Sequence, residues 1–171
     1  MRRSILKLTL LAAALFVLAS CTISYKFNQS SIDYSKVKTI TIENFTNRAA
    51  FQWAPMASML NTSLIDKYAN QTKLVQTRRD GDLVLSGEIT SYDQTNKSIS
   101  ADGYSAMVQL KMTVKVKFTN NKDHSDDFER SFSSTREYDS SQSLQAVQEQ
   151  LVQEMIDDIV DQVFNESVAK W

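Results

Sequence analysis

From Val108 to Thr119 the chain alternates without a break. Val108, Leu110, Met112, Val114, Val116 and Phe118 are apolar, and Gln109, Lys111, Thr113, Lys115, Lys117 and Thr119 are polar. Successive side chains of a strand point to opposite faces, so this stretch reads as a strand with one dry face and one wet face. Strands buried on both faces read as continuous apolar runs, so a half-wet strand points to an antiparallel sheet. Whatever else the chain does, it must cover one side of a sheet and leave the other side open.

The neighbouring segments supply both the partners and the cover. Val37 to Phe45 is β-branched and alternating, with Ile40 and Ile42 on one face, and reads as a first strand. Asn44 to Gln52 follows as a loop. Pro55 stands where a helix begins, a place that tolerates its missing N–H. Met56, Met59, Leu60, Leu64 and Tyr68 then recur at helical steps to about Asn70. Asp80-Gly81 marks a turn. Asp82 to Tyr92 reads as a second strand, interrupted by Gly87 as at a bulge. Asp102-Gly103 lies in the next loop. After the alternating strand, Asn120 to Asp126 is a polar loop, and Phe128 and Phe132 open a strand that runs to about Tyr138.

Asp139 and Gln142 resemble a capping box before a last helix from Ser143 to Val168. Its stripe is Leu144, Val147, Leu151, Met155, Ile159, Val163 and Phe164. The predicted order is β-α-β-β-β-α. The expected fold is α+β: a two-layer α/β sandwich whose four-stranded, mainly antiparallel sheet is covered on one face by two helices. The first strand, arriving through a helix, is placed to pair in parallel with the meander.

The N-terminus reads as an address. Arg2, Arg3 and Lys7 precede an apolar run from Leu8 to Ala19, broken only by Thr9. A membrane-spanning helix needs about 20 apolar residues. A signal-peptide core needs about 7–15, and this run fits. Leu18-Ala19-Ser20-Cys21 resembles the bacterial lipobox and contains the sole Cys. The expectation is a cleaved signal peptide over 1–20, with diacylglyceryl and N-acyl lipid on Cys21, a tether over 21–36 and one domain over 37–171. Each buried CH₂ of an acyl chain contributes about 0.8 kcal/mol, so two or more chains hold firmly. Thr22 rather than Asp follows the Cys, which by the enterobacterial sorting rule leans toward the outer membrane. Tyr25 and Phe27 alternate with polar residues as a short strand would.

Composition narrows the function. The 19 Lys and Arg against 20 Asp and Glu leave no basic excess for a phosphate backbone, so no nucleic acid is expected. Loss of residues 1–20 removes three positive charges and moves the formal net charge from −1 to −4. One Cys permits no disulfide framework. One His removes most zinc sites and most nucleophile–base triads, so no enzyme, no metal and no cofactor beyond the lipid are expected.

Four clusters remain to be weighed. His124, among Asp123, Asp126 and Asp127, reads as a solvated turn before a metal site. Lys111, Lys115 and Lys117 share the wet face of their strand. They form either a cationic strip for a phosphorylated lipid or a solvated face that blocks edge pairing. Arg130 is assigned by its alternation to the face of Phe128 and Phe132. Arg78 and Arg79, with Lys73, form a second basic cluster with the same two readings. Phe45, Phe51 and Trp53, with Arg48, either meet a partner or close the first helix. Trp171 is either interfacial or a cap on the core.

Taken together, Cys21-Thr22-Ile23-Ser24-Tyr25-Lys26-Phe27, the stretch Ile32 to Ile40, Ile42-Glu43-Asn44-Phe45, and Asp80 to Ile89 resemble the LptE family of lipopolysaccharide-assembly lipoproteins in its Bacteroidetes form. The resemblance covers the whole mature chain. It implies two helices on a four-stranded sheet, and a non-catalytic outer-membrane lipoprotein. It further implies a plug inside the β-barrel LptD that helps the barrel fold and binds lipopolysaccharide. Only Cys21 carries over residue by residue. The lipopolysaccharide contacts expected at Lys111, Lys115, Lys117, Arg78 and Arg79 come from charge and placement. The alternative is an accessory lipoprotein of another outer-membrane channel or secretion system.

Overall fold

The computed structural model describes residues 32–99 and 105–169. The expected signal peptide, Cys21, the expected tether up to residue 31 with its expected Tyr25–Phe27 strand, the Asp102-Gly103 loop and Trp171 lie outside the described residues. The elements are β1 (Thr39–Ile42), β2 (Thr46–Asn47), α1 (Met56–Gln71), β3 (Val75–Gln76), β4 (Leu83–Ile99), β5 (Ser105–Asn120), a short 3₁₀ turn (His124–Asp126), β6 (Phe128–Asp139) and α2 (Leu144–Ser167). They form two layers, with both helices on one face of a mixed sheet, as expected. The sheet has six strands rather than four. Its order is β3-β1-β4-β5-β6, with β2 also paired to β4.

The antiparallel β4–β5–β6 meander is the frame. Val114 faces Ile89 on one side and Phe132 on the other, so one row of apolar side chains crosses three strands. β1 pairs in parallel with β4, Ile40 opposite Leu83 and Ile42 opposite Leu85. β2 continues along the same flank of β4, Thr46 opposite Glu88. β4 is longer than its alternation predicts, because the polar run Asp93 to Asn96 stays paired with β5 and the strand continues, with register shifts, to Ile99. The bulge expected at Gly87 is not there. Gly87 pairs in register with Val116, and the first register shift falls between Ile89 and Ser91. Gly87 is instead a close-approach position against Phe45.

The core lies between the sheet and the helices. Ile40, Leu85, Ile89, Leu110, Met112 and Val114 meet Leu60 and Leu64 of α1 and Val152, Met155, Ile156 and Ile159 of α2, all essentially inaccessible. Helix α2 is buried on a wider arc than its predicted stripe. Val152, Ile156 and Val160 are buried, while Leu144, Val147 and Leu151 are only partly so. The cause is its double packing, against the sheet and against α1. The α1–α2 seam holds Tyr68 OH on Ser167 Oγ at 2.5 Å and Lys67 on Asp161 at 2.7 Å. Burial pushes the Tyr68 hydroxyl pKa upward.

The predicted capping box does not form. Ser143 is the N-cap and makes no side-chain cap bond, and Asp139 accepts instead from the Ser141 N–H at 2.8 Å. Residues 32–36, expected in the tether, make a turn on Asp33, and Ile32 and Tyr34 pack on the core. No helix among the described residues is long and apolar enough to cross a membrane.

Two polar devices fix the frame. Asp82 Oδ2 accepts from the N–H groups of Lys38 and Thr39 at 2.8 and 3.1 Å, and its Oδ1 meets Lys122 Nζ at 2.9 Å. One carboxylate thereby joins the start of β1, the start of β4 and the β5–β6 turn. Arg136 on β6 donates to Glu154 at 2.9 Å and to Asp158 at 2.7 Å on α2. A planar guanidinium can serve two carboxylates at once, which a Lys cannot do with fixed geometry.

Candidate functional site

The alternation of β5 places Lys111, Lys115 and Lys117 on the sheet face that no helix covers, as predicted, and the three side chains are exposed. The register then supplies what sequence could not. Lys115 stands opposite Glu88 of β4 and makes an ion pair with Glu129 of β6. Lys117 faces Ser86 on one side and Glu129 on the other, and Lys111 faces Asp93. Arg48 pairs with Glu88 at 3.0 Å, and Lys97 with Glu137 at 3.6 Å. The strip is therefore interleaved with carboxylates from both neighbouring strands. Hydrogen bonding to Glu129 raises the Lys115 pKa, and the same bond lowers that of Glu129, with Lys117 adding a smaller pull. Between the charges lie Ser86, Thr113, Ser131, Ser133 and Thr135, so the face is polar throughout.

At the centre of this face lies a hollow of about 230 Å³, lined by Gly87, Glu88, Lys115, Lys117 and Glu129. Two ammonium groups and two carboxylates around a dent can hold a polar, hydroxylated or zwitterionic ligand. They make no strongly cationic pocket.

Arg78 and Arg79 are exposed in the link from β3 to β4. That link crosses β1 on the open side. Thr41 alternates with core residue Ile40, and its Oγ1 accepts from the Gly81 N–H at 3.0 Å and meets Thr77 Oγ1 at 3.1 Å. Asp80 takes a positive φ of 58° in the predicted Asp80-Gly81 turn. A Cβ on Gly81 would stand 2.6 Å from the Thr41 nitrogen, which is why the crossing needs glycine there. The two basic clusters, separate in sequence, thus border the same face.

The other expectations sort clearly. Arg130 lies on the helix side, as its alternation requires, and holds Glu166 at 2.7 Å. His124 sits in an exposed turn with Nδ1 3.0 Å from Asp127, and no group of three or more metal-ligating side chains occurs among the described residues. Of the aromatic loop, Phe45 is buried in the core, Trp53 packs partly against it, and Phe51 stacks on Tyr92 at 5.5 Å. The residues that sequence reading missed are Glu88, Asp93, Glu129 and Glu137. Only the cross-strand register brings them to the lysines.

Comparison with solved structures shows the same fold. Rare lipoprotein B from Shewanella oneidensis superposes with a TM-score of 0.53 at 17% identity, over 75% of this chain and 92% of its own. The hypothetical protein CT253 from Chlamydia trachomatis gives 0.54 at 9% identity, over 78% and 99%. Lipoprotein B from Nitrosomonas europaea gives 0.51 at 13% identity, over 82% and 88%. Comparison with curated protein sequences gives no match. Residues 37–167 match the LptE family, described as lipopolysaccharide-assembly. That match spans well over half the chain, and the two-layer fold with its uncovered polar sheet agrees with it. The chain belongs to the LptE family of lipopolysaccharide-assembly proteins.

Proposed function

We propose that this chain is acylated on Cys21 and seats its domain inside an LptD-type β-barrel. There it helps the barrel assemble and binds lipopolysaccharide on its way to the cell surface. The observation that carries this reading, beside family membership, is the uncovered face of the β4–β5–β6 meander. Barrel lumens of outer-membrane proteins are polar. A face of charges, ion pairs and hydroxyls can lie against such a wall without burying apolar side chains against polar ones. Lipopolysaccharide carries phosphates, for which Lys and Arg are the matching donors. Lys111 and Lys117 supply them on the face, Arg78 and Arg79 border it, and Lys115 is already engaged by Glu129. The role is binding and assembly, with no bond made or broken.

Depletion of the protein in its own cell tests this. Surface labelling of lipopolysaccharide should fall, and the barrel should accumulate in a misassembled form. Normal labelling with a normally assembled barrel would contradict the reading, and would favour service to another outer-membrane channel.

A further inference from the structure

Exposed apolar side chains and uncommitted cations gather on one edge of the sheet. Strand β3 is that edge, since among the described residues it pairs only with β1. Val75 on β3 is 63% exposed. Ile65 on α1 is 40% exposed, and Gln76 brings it beside the edge by donating from Nε2 to the Ile65 carbonyl at 2.9 Å. Lys73 precedes the strand and Arg78 and Arg79 follow it. Lys38 adjoins it, its carbonyl accepting from the Val75 N–H at 2.9 Å.

Eight Lys and Arg of the described residues hold a carboxylate. Six make no ion pair among the described residues: Lys38, Lys73, Arg78 and Arg79 lie at this edge, and Lys111 and Lys117 lie on the open face. Charge alone would suffice to keep an edge from pairing with another strand. Apolar side chains ringed by free cations are what an anionic lipid surface attracts.

The chain path and the charge distribution choose the same occupant. Ile32 to Val37 leads into β1 directly beside β3. Cys21 lies eleven residues before Ile32, so the connecting chain spans at most about 40 Å. Helix α2 packs over β6, at the opposite edge, and carries six acidic residues and no basic one; Lys67, Arg130 and Arg136 hold four of the six, and the side stays net negative. An anionic surface therefore draws the β3 edge toward it and repels the α2 side.

We propose that the β3 edge docks on the anionic phospholipid leaflet that holds the Cys21 anchor, keeping the domain edge-on to the membrane before a barrel takes it up. The proposal rests on acylation of Cys21. It makes the leaflet contact of Arg78 and Arg79 earlier than any contact with lipopolysaccharide inside the barrel.

The test uses the full acylated protein reconstituted into vesicles of phosphatidylcholine, alone or mixed with phosphatidylglycerol, and reads hydrogen–deuterium exchange. A cation near an anionic surface contributes on the order of fivefold in affinity, so losing two from this edge is a large change. Exchange over residues 73–79 should slow about tenfold in the phosphatidylglycerol vesicles only. High salt, or the exposed double substitution Arg78→Glu with Arg79→Glu, should abolish that slowing. The variant should exchange like the parent on phosphatidylcholine, which shows that it is folded. Equal exchange in both vesicle types would overturn the proposal. So would slowing that needs added lipopolysaccharide, since the edge would then be reserved for the glycolipid. Failure of the protein to float with any vesicle would overturn the anchor reading and this proposal together, whereas floating without protection would overturn this proposal alone.

Discussion

The ring of Phe45 lies so close over Gly87 that a Cβ on the glycine would stand 2.5 Å from Phe45 Cε1, and 2.2 Å from the Lys115 carbonyl oxygen. The β1–β2 loop and the centre of the meander touch through this one missing side chain. Gly87→Ala should therefore destabilise, although alanine is ordinarily the better residue within a strand. The Lys115 oxygen is backbone and cannot move aside. Overpacking of this kind costs about 1–3 kcal/mol. Urea unfolding should show the loss as a lower midpoint at unchanged slope, and an unchanged midpoint would remove Gly87 from the account of the fold.

Asp82 predicts a pH dependence. The Lys38 N–H, then Lys122 and Thr39, hold its carboxyl well below the usual carboxylate range. A carboxyl whose pKa is lower in the folded state binds fewer protons there than in the unfolded chain. Its contribution is therefore complete above the unfolded value near 3.8. It is lost as pH falls below that value toward the folded one. Hydrogen bonds to a charged group contribute about 1.5–3 kcal/mol. Asp82→Asn should be less stable than the parent by about that amount at pH 7. The gap should narrow as unfolding is measured at successively lower pH below 4. A gap that stays constant to pH 2 would show that the charge is not what joins β1 to β4.

The open face predicts a separation of binding from folding. Replacing Lys111, Lys115 and Lys117 together by Gln, which sets no like charges opposite Asp93, Glu88 and Glu129, should weaken binding of purified lipopolysaccharide. Surface substitutions usually change stability by within about 0.5 kcal/mol each. Loss of the Lys115–Glu129 pair adds little, because exposed pairs contribute about 0–1 kcal/mol. Binding unchanged in the triple variant would return the lysines to the role of a solvated face.

Cys21 predicts location. Cys21→Ala removes the thiol that would take the lipid, so the protein should remain unprocessed or leave the outer-membrane fraction. Ordinary outer-membrane fractionation of this variant would contradict the lipid anchor.

Much of the frame was legible because period and type coincide. The strict alternation of Val108 to Thr119 leaves one reading, and it correctly gave β5 a dry and a wet face. The helical spacing of Met56, Leu60, Leu64 and Tyr68 likewise matches the buried line of α1. What stayed hidden lacks a local signal. Strands β2 and β3 have two residues each and exist only because β4 and β1 lie beside them. The distal half of β4, Asp93-Gln94-Thr95-Asn96-Lys97, is polar on both faces and is held by pairing with β5 rather than by burial. Gly87 reads as an irregularity in sequence, while in space it makes room for a residue 42 positions earlier. The lysine strip was visible as a pattern. Its carboxylate partners come from two other strands, and no property of β5 alone sets their register.

Everything proposed for the open face depends on the domain being the lumenal partner of a lipopolysaccharide-assembly barrel. The most direct measurement is affinity capture of the acylated protein from detergent-solubilised envelopes, with partners identified by mass and lipid A assayed in the eluate. One large β-barrel protein should be retained at stoichiometric yield through washing, together with lipopolysaccharide. A different channel protein, or no barrel at all, would contradict that role.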